Sequence, residues 1–361
     1  MLGNLLGNLV DLWDPKKRAA RKIAAELIAA RDLLDKKLHE KSIERLSALL
    51  ARHPDNAEAL FLRGTARLEI RLAEEALKDL LHAKRLNPTE PRYCYNLAVA
   101  QSYLGDAKNA IENCRVAAVS GKVSLAHGLW ASMELPGEEY FTVMQRIHDH
   151  LRPRTYVEVG VFQGKSLRLA LAETLAIGID PEPKLEQPPG PRQTIHATTS
   201  DAYFAEHDVI TELGGERVQM AFIDGMHHFE FALRDFINVE KNATPNSVVL
   251  IHDCYPLERE TANRERTTGF WSGDIWRLIV LLKKYRQDLA INVIGTPPTG
   301  LGVVQHLDPN STILSAQLDE IIAEFMALDY AYLDEDKAGK LNLFPNEWPR
   351  IEKLLPAAYA S

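Results

Sequence analysis

The amino-acid sequence predicts a two-part protein: an all-α array of repeated helical hairpins, followed by an α/β domain built on a mostly parallel sheet. Three observations predict it. Residues 20–121 carry a helical pattern almost without interruption, and that pattern repeats with a fixed period. After Arg154, near-continuous apolar segments alternate with amphipathic ones, as strands buried on both faces alternate with the helices that cover them. The chain has 361 residues, 46% hydrophobic and 25% charged, which suits two domains with a core each.

The period is found by aligning "PDNAEALFLRGTARLEIRLAEEALKDLLHAKRLNP" with "PTEPRYCYNLAVAQSYLGDAKNAIENCRVAAVSGK". Pro54 and Pro88 are 34 residues apart, and so are Gly64 and Ala98, Ala66 and Ala100, Ala76 and Ala110, and Ala83 and Ala117. Small residues recur where two helices must cross closely, and proline recurs where a helix must stop. A degenerate third copy lies upstream, with Ala30 at the small position and Leu49 and Pro54 closing it. Over residues 23–121 this pattern resembles the tetratricopeptide repeat. The resemblance implies a curved solenoid that holds a protein partner, presents a carrier of the substrate or sets a homo-oligomer.

Charge and composition exclude several classes of partner. A formal net charge of −8 argues against a broad nucleic-acid or anionic-membrane surface. Cys94, Cys114 and Cys254 are too few and too far apart for a disulfide framework or a zinc cluster, so a cytoplasmic location is expected. No apolar run approaches a membrane span. The opening "MLGNLLGNLVDLWDPKKRAA" has its basic residues after the apolar part, the reverse of a signal peptide. Leu2, Leu5, Leu6, Leu9 and Leu12 follow helical spacing, so residues 1–22 read as an amphipathic helix docked on its own domain. The expected organisation is then 1–22, repeats and hinge over 23–135, the α/β domain over 136–310, and a helical extension over 311–361.

Within the α/β domain, strands are expected at 155–160, 175–180, 194–200, 218–224 and 247–253, with a terminal hairpin over 291–307. An amphipathic helix carrying Leu167, Leu169, Ala170 and Leu171 is expected after the first strand, and another over 229–241. Glu158, Asp180, Asp201, Asp224 and Asp253 fall at or near strand ends, where open α/β sheets bind ligands. One such acid can simply cap a helix. A row of them points to a crevice.

The opening loop reads Glu158-x-Gly160-x-x-x-Gly164. A dinucleotide fingerprint needs G-x-G-x-x-G, and here Phe162 stands at the middle glycine, so no pyrophosphate is indicated. S-adenosylmethionine carries no phosphate. Its ribose diol suits an acid after the second strand, and its ammonium and sulfonium suit acidic surroundings. The motifs "YVEVGVFQGKSL", "IGIDP", "AFIDGMHHFEFALRDF" and "VVLIHDCYP" resemble class I S-adenosylmethionine-dependent methyltransferases, more narrowly the macrocin O-methyltransferase-like group, over residues 137–307. That resemblance implies a Rossmann-like sheet. It implies that Glu158, Gly160 and Gly164 line the methionine end, that Ser166 hydrogen-bonds the cofactor carboxylate, that Asp180 holds the ribose, and that Asp201 stands on the adenine side.

Some relatives bind a divalent cation such as Mg2+ after strands four and five, which points to Asp224 and Asp253. This chain has Cys254 where many of those relatives carry a further acid or amide. His227, in "IDGMH", is the candidate general base, beside Asp224. Phe270, Trp271, Asp274, Trp276 and Arg277 are candidates for an acceptor wall, with core packing the competing reading for Trp276. The expected activity is methyl transfer to a hydroxyl on a small molecule, glycosylated or itself a sugar. Two alternatives stand beside it: an interaction or regulatory protein with a non-catalytic cofactor domain, and a hydroxylase of related fold.

Overall fold

The computed structural model of the chain describes residues 14–119, 123 and 125–359, which form two compact units divided at Met133/Glu134. The leucine pattern over residues 2–12 lies outside the described residues.

Unit 1 is a series of antiparallel helices: α1 (Pro15–Asp35), α2 (His39–Arg52), α3 (Ala57–Glu69), α4 (Ala73–Leu86), α5 (Pro91–Tyr103) and α6 (Ala107–Val119), then α7 (Leu125–Glu134). The architecture is a tetratricopeptide-like solenoid, and the small residues of the period explain it. Ala66, Ala76, Ala83, Ala98, Ala100, Ala110 and Ala117 are completely buried where helices cross. A methyl group on Gly64 would meet Leu80 Cγ at 2.7 Å, so the Leu80 side chain of α4 packs directly on the backbone of α3 there. Helix starts follow local chemistry: the Asn56 side chain accepts from Ala59 N–H, and Pro91 stands at the first turn of α5 behind Glu90. Asp79, almost fully buried, accepts two hydrogen bonds from Arg63 and one from Arg67, tying α3 to α4.

Unit 2 begins with a Pro136-Gly137 break and α8 (Tyr140–Leu151). Its strands are β1 (Thr155–Val159), β2 (Leu175–Ile179), β3 (Gln193–His196), β4 (Val218–Ile223), β5 (Ala243–His252), β6 (Ala290–Ile294), β7 (Leu301–Gln305) and β8 (Leu343–Phe344). They form one sheet in the order β3-β2-β1-β4-β5-β7-β6-β8. β1 to β5 are parallel, and β7 runs antiparallel to both β5 and β6, completing the expected hairpin. The chain winds from β1 outward to β3, then returns to place β4 on the other side of β1, so the switch point of the sheet lies between β1 and β4. This is a Rossmann-like arrangement with an antiparallel strand inserted beyond β5.

Alternation along β1 sends Tyr156 to one face and Val157 and Val159 to the other. The first face packs on α8 and on Ile351 of the helix Trp348–Leu354; the second packs on α11 (Phe229–Asn242), α12 (Trp276–Tyr285) and α13 (Leu318–Met326). The described tail, residues 311–359, belongs to this same unit, adding β8 beside β6 and burying Leu333, Leu341 and Ile351.

Several elements differ from expectation: β5 begins at Ala243 rather than at 247, and the tail, expected helical, adds the strand β8. The helix after β1 is only a 3-10 turn, Leu167–Leu169. The Leu167 carbonyl accepts from both Ala170 N–H and the Gln193 side-chain amide, and at Ala170 (ψ 134°) the chain turns extended toward β2. β3 ends at His196 rather than at 200, because the Thr199 hydroxyl caps the next helix, α9 (Ser200–Glu206), at Ala202 N–H.

Candidate active site

A cleft of about 840 Å³ opens at the carboxyl ends of β1, β2 and β4, beside the switch point. Its geometry starts with Gly160, at φ +89° just past β1. The N–H of Gly160 donates to Ile179 O at 2.9 Å, and Asp224 N–H donates to Val159 O at 2.8 Å, so the ends of three strands are drawn together. A side chain at 160 would place its Cβ 2.0 Å from the Asp224 carbonyl oxygen. Only glycine fits, and its bare backbone forms part of the cleft wall.

Past Gly160 the loop is held from β2. Asp180 Oδ2 accepts from Phe162 N–H and Oδ1 accepts from Glu182 N–H, each at 2.7 Å. Asp180 therefore clamps the loop and also lines the cleft. Phe162, which replaces a fingerprint glycine, adopts φ +44° and points outward at the rim. Gly164, at φ +74°, donates its N–H to Val161 O at 2.7 Å and lies off the cleft, so it shapes the loop.

Glu158 is completely buried behind the wall and accepts from Ser166 Oγ and Tyr156 Oη at 2.7 Å each. Burial pushes its pKa up to about 8, against the pull of those two donors. Ser166 does face the cleft, with its hydroxyl proton donated to Glu158. Asp201 stands at the rim in a bidentate pair with Arg234. A residue not anticipated from sequence sits beside it: Asp235, on α11, is buried, lines the cleft, and has one carboxyl oxygen without a hydrogen-bond partner. Burial raises its pKa to about 7. The signal was available, because Asp235 lies between Ala232, Leu233 and Phe236 on the buried side of an amphipathic helix.

At the other end, Asp224, His227, His252 and Asp253 form one cluster. His227 (φ +57°) and Asp253 (φ +60°) both sit in left-handed backbone conformations that turn their side chains toward each other. His227 Nδ1 lies 3.0 Å from Asp253 Oδ2, and Nε2 lies 3.6 Å from Asp224 Oδ1. His252 Nδ1 lies 3.3 Å from Asp224 Oδ1 and 3.4 Å from Asp253 Oδ2, and Thr299 Oγ1 donates to Asp253 Oδ1 at 2.7 Å. Burial disfavours every charge here, yet mutual attraction wins. Asp253 is held far below the ordinary carboxylate range by the two imidazoles, and both histidines are raised.

The contact between His227 Nδ1 and Asp253 Oδ2 is close but poorly angled, and neither atom has a well-formed hydrogen bond. Asp224, His227 and Asp253 are the residues that could hold a divalent ion here. One donor atom each from Asp224, His227 and Asp253 lies within 4.8 Å of the others. The imidazole makes this a mixed nitrogen and oxygen set, less suited to Mg2+ than the oxygens of Asp224 and Asp253 alone.

The aromatic stretch after β5 divides by role. The Trp271 ring stacks on His227 at 4.9 Å and 4°, beside the cleft. Trp276 is fully buried in the core. Asp274 and Arg277 are not an acceptor wall. Asp274 is completely buried, accepting from Phe229 N–H, Arg264 and Arg277, so it fastens this stretch to the start of α11.

Residues 157–254, from β1 to just past β5, match the family described as a methyltransferase domain. No curated protein matches the chain. Among solved structures, the O-methyltransferase TomG from Streptomyces achromogenes, involved in tomaymycin synthesis and bound to SAM, is 15% identical, covering 46% of this chain and 79% of its own at a TM-score of 0.37. MamA is 22% identical over 35% of this chain and 71% of its own, at a TM-score of 0.30. The second TPR domain of human RPAP3, in complex with an HSP70 peptide, is 21% identical over 32% of this chain and 96% of its own, also at 0.30. The match to the methyltransferase-domain family thus falls within unit 2, over β1 to β5. No helix among the described residues is long and apolar enough to cross a membrane.

Proposed function

We propose that unit 2 binds S-adenosylmethionine in this cleft and transfers its methyl group to an oxygen nucleophile on a small molecule, with a sugar hydroxyl as the acceptor class. The carrying observation is charge. Asp180, Glu182, Asp201, Asp224 and Asp235 line one cleft against Lys165, Lys184 and Arg266, an excess of acids, alongside a glycine that lets backbone approach. A cofactor with an ammonium and a sulfonium but no phosphate suits such a wall.

The bound cofactor supplies an electrophilic methyl carbon; the protein supplies placement and a home for a proton. The Gly160–Phe162 backbone, fixed by Asp180, shapes the methionine end, and Asp180 with Glu182 offers acceptors to a ribose diol. The acceptor hydroxyl sits toward His227, whose Nδ1 is backed by Asp253 and whose Nε2 takes the proton. In the free protein the flanking carboxylates favour the imidazolium. A cation bound in the cleft opposes that charge and lowers the pKa toward a value useful to a base. A divalent ion held by Asp224, His227 and Asp253 would supply Lewis acidity at the acceptor oxygen instead. For unit 1 we propose a protein ligand or the carrier of the acceptor, on the ground of its solenoid architecture.

The test is to incubate the protein with methyl-labelled S-adenosylmethionine and host extract, and to measure cofactor binding by calorimetry in parallel. Label in a small-molecule product, with a rate about 10²–10⁴-fold lower in His227→Ala, is the expected outcome. Absence of cofactor binding sinks the reading, and a product that gains oxygen rather than a methyl replaces it with hydroxylation.

A further inference from the structure

A second convergence of ligand-type side chains lies at the sheet edge. His196 is the last residue of β3, His207 caps the C-terminus of α9, and Glu212 ends α10 (Val209–Glu212). His196 Nε2 lies 2.9 Å from Glu212 Oε2, and His207 Nδ1 lies 2.7 Å from Glu212 Oε1. All three ligand atoms fall within 4.8 Å of one another. Tyr203 forms the floor. Its buried ring stacks on His207 at 4.8 Å and packs on His196 at 4.7 Å, and its hydroxyl donates to Glu212 Oε2 at 3.2 Å. None of these groups lines the proposed methyl-transfer cleft.

We propose that His196, His207 and Glu212 bind a divalent ion of the zinc class, with water in the fourth position. Two imidazole nitrogens and one carboxylate oxygen are a borderline donor set that suits Zn2+ and its neighbours, whereas Mg2+ and Ca2+ require six or more oxygens. The aromatic floor orients both rings, and the phenol hydroxyl holds the carboxylate from outside, as outer partners of metal ligands do. The two imidazoles come from different elements and share one carboxylate, so an ion at their meeting point would staple β3, α9 and α10 together. α9 begins at the cleft, where Thr199, Ser200 and Asp201 form part of the wall. An ion there would fix the base of that wall, while its water position stays open to exchange.

The experiment uses the full chain, stripped with chelator and reloaded with Zn2+, then with Co2+ as a spectroscopic probe. Because Asp224, His227 and Asp253 are a second candidate set, the variants are Asp253→Asn, His207→Ala and Glu212→Gln. The expected result is one tightly held Zn2+ that survives Asp253→Asn. Its affinity should fall by more than about 100-fold in His207→Ala, since losing even an outer partner typically costs 10–100-fold. Zn2+ should raise the melting temperature of Asp253→Asn and leave that of His207→Ala unmoved. Co2+ in Asp253→Asn should show the intense visible bands of a four-coordinate site, a readout that needs no variant at 207. Stoichiometry unchanged in His207→Ala and Glu212→Gln, or no tight Zn2+ and no Co2+ bands in Asp253→Asn, overturns the proposal and leaves a hydrogen-bonded cluster.

Discussion

Replacing Gly160 by alanine tests the geometry on which the whole cleft depends, and the structure contains its own control. Gly160 and Gly215 share the same φ, +89°, in the same unit. A Cβ at 215 meets nothing within 4 Å, whereas one at 160 lies 2.0 Å from the Asp224 carbonyl oxygen, itself backbone. Gly215→Ala therefore measures the conformational penalty alone, about 1–2 kcal/mol for an L-residue forced to positive φ. Gly160→Ala carries that penalty plus a clash that only movement of β1 against β4 relieves. Such movement strains the bonds from Asp224 N–H to Val159 O and from Gly160 N–H to Ile179 O, each worth about 0.5–1.5 kcal/mol. The total for Gly160→Ala comes to about 2–5 kcal/mol, so the two variants should differ by about 1–3 kcal/mol.

The assay is urea unfolding read by hydrogen exchange on peptides from β1 and β4, which separates unit 2 from the repeats. At temperatures where Gly160→Ala is still folded, its affinity for S-adenosylmethionine should drop while Gly215→Ala binds normally. Equal destabilisation of the two variants, within about 0.5 kcal/mol, would refute the close approach of the strand ends.

Two further predictions concern the buried charges. Glu158 has a folded pKa of about 8 against an ordinary 4.5, so the folded state keeps a proton that the unfolded state has released across that window. Its contribution is complete below pH 4.5 and is lost as pH rises through 8, at up to about 1.4 kcal/mol per pH unit. Glu158→Gln should therefore flatten the decline of urea midpoint between about pH 5 and 8, and parallel pH profiles for parent and variant would count against it. Asp274→Ala leaves Arg264 and Arg277 without their shared carboxylate and frees Phe229 N–H, so a loss of about 3–5 kcal/mol in unit 2 stability is expected. A loss below about 1 kcal/mol by the same exchange-detected unfolding would show the cluster to be solvated.

Much of this fold was legible because its signals are periodic. The recurring small residues of unit 1 are the ones its helices bury at crossings, and the apolar runs of unit 2 form the parallel strands. What was not legible depended on single side-chain contacts between distant segments. Leu167–Leu171 has good helical composition, but the chain turns extended at Ala170, and the Gln193 amide that reaches Leu167 there comes from β3, which no local pattern reveals. Leu343 and Phe344 make a strand only because β6 is there to receive them. The row of strand-end acids was visible in sequence; which of them would be occupied was not, since Asp201 finds Arg234 across 33 positions. Asp274 and Trp271, close in sequence and alike as wall candidates, were separated by burial alone.

The acids of the cleft are thus not equivalent, and their differences bear on how one pocket could hold a cation at one end and a proton acceptor at the other. Asp180 is held by two backbone N–H groups and stays fixed, so it can orient a loop and a ligand together. Asp253 is fully buried between two imidazoles and carries its charge there, where it raises His227 and keeps that ring turned to the cleft. Glu158 and Asp235 have no cationic partner strong enough to offset burial, and both are pushed toward the neutral form. Without a ligand, the wall and the layer behind it therefore carry less negative charge than their composition suggests, which limits self-repulsion among carboxylates packed around one crevice. A cation arriving in the cleft lowers the cost of ionising both groups. The same positive charge disfavours the imidazolium at His227. Charge at one end of the cleft and proton affinity at the other are in this way coupled through space, with no moving part required.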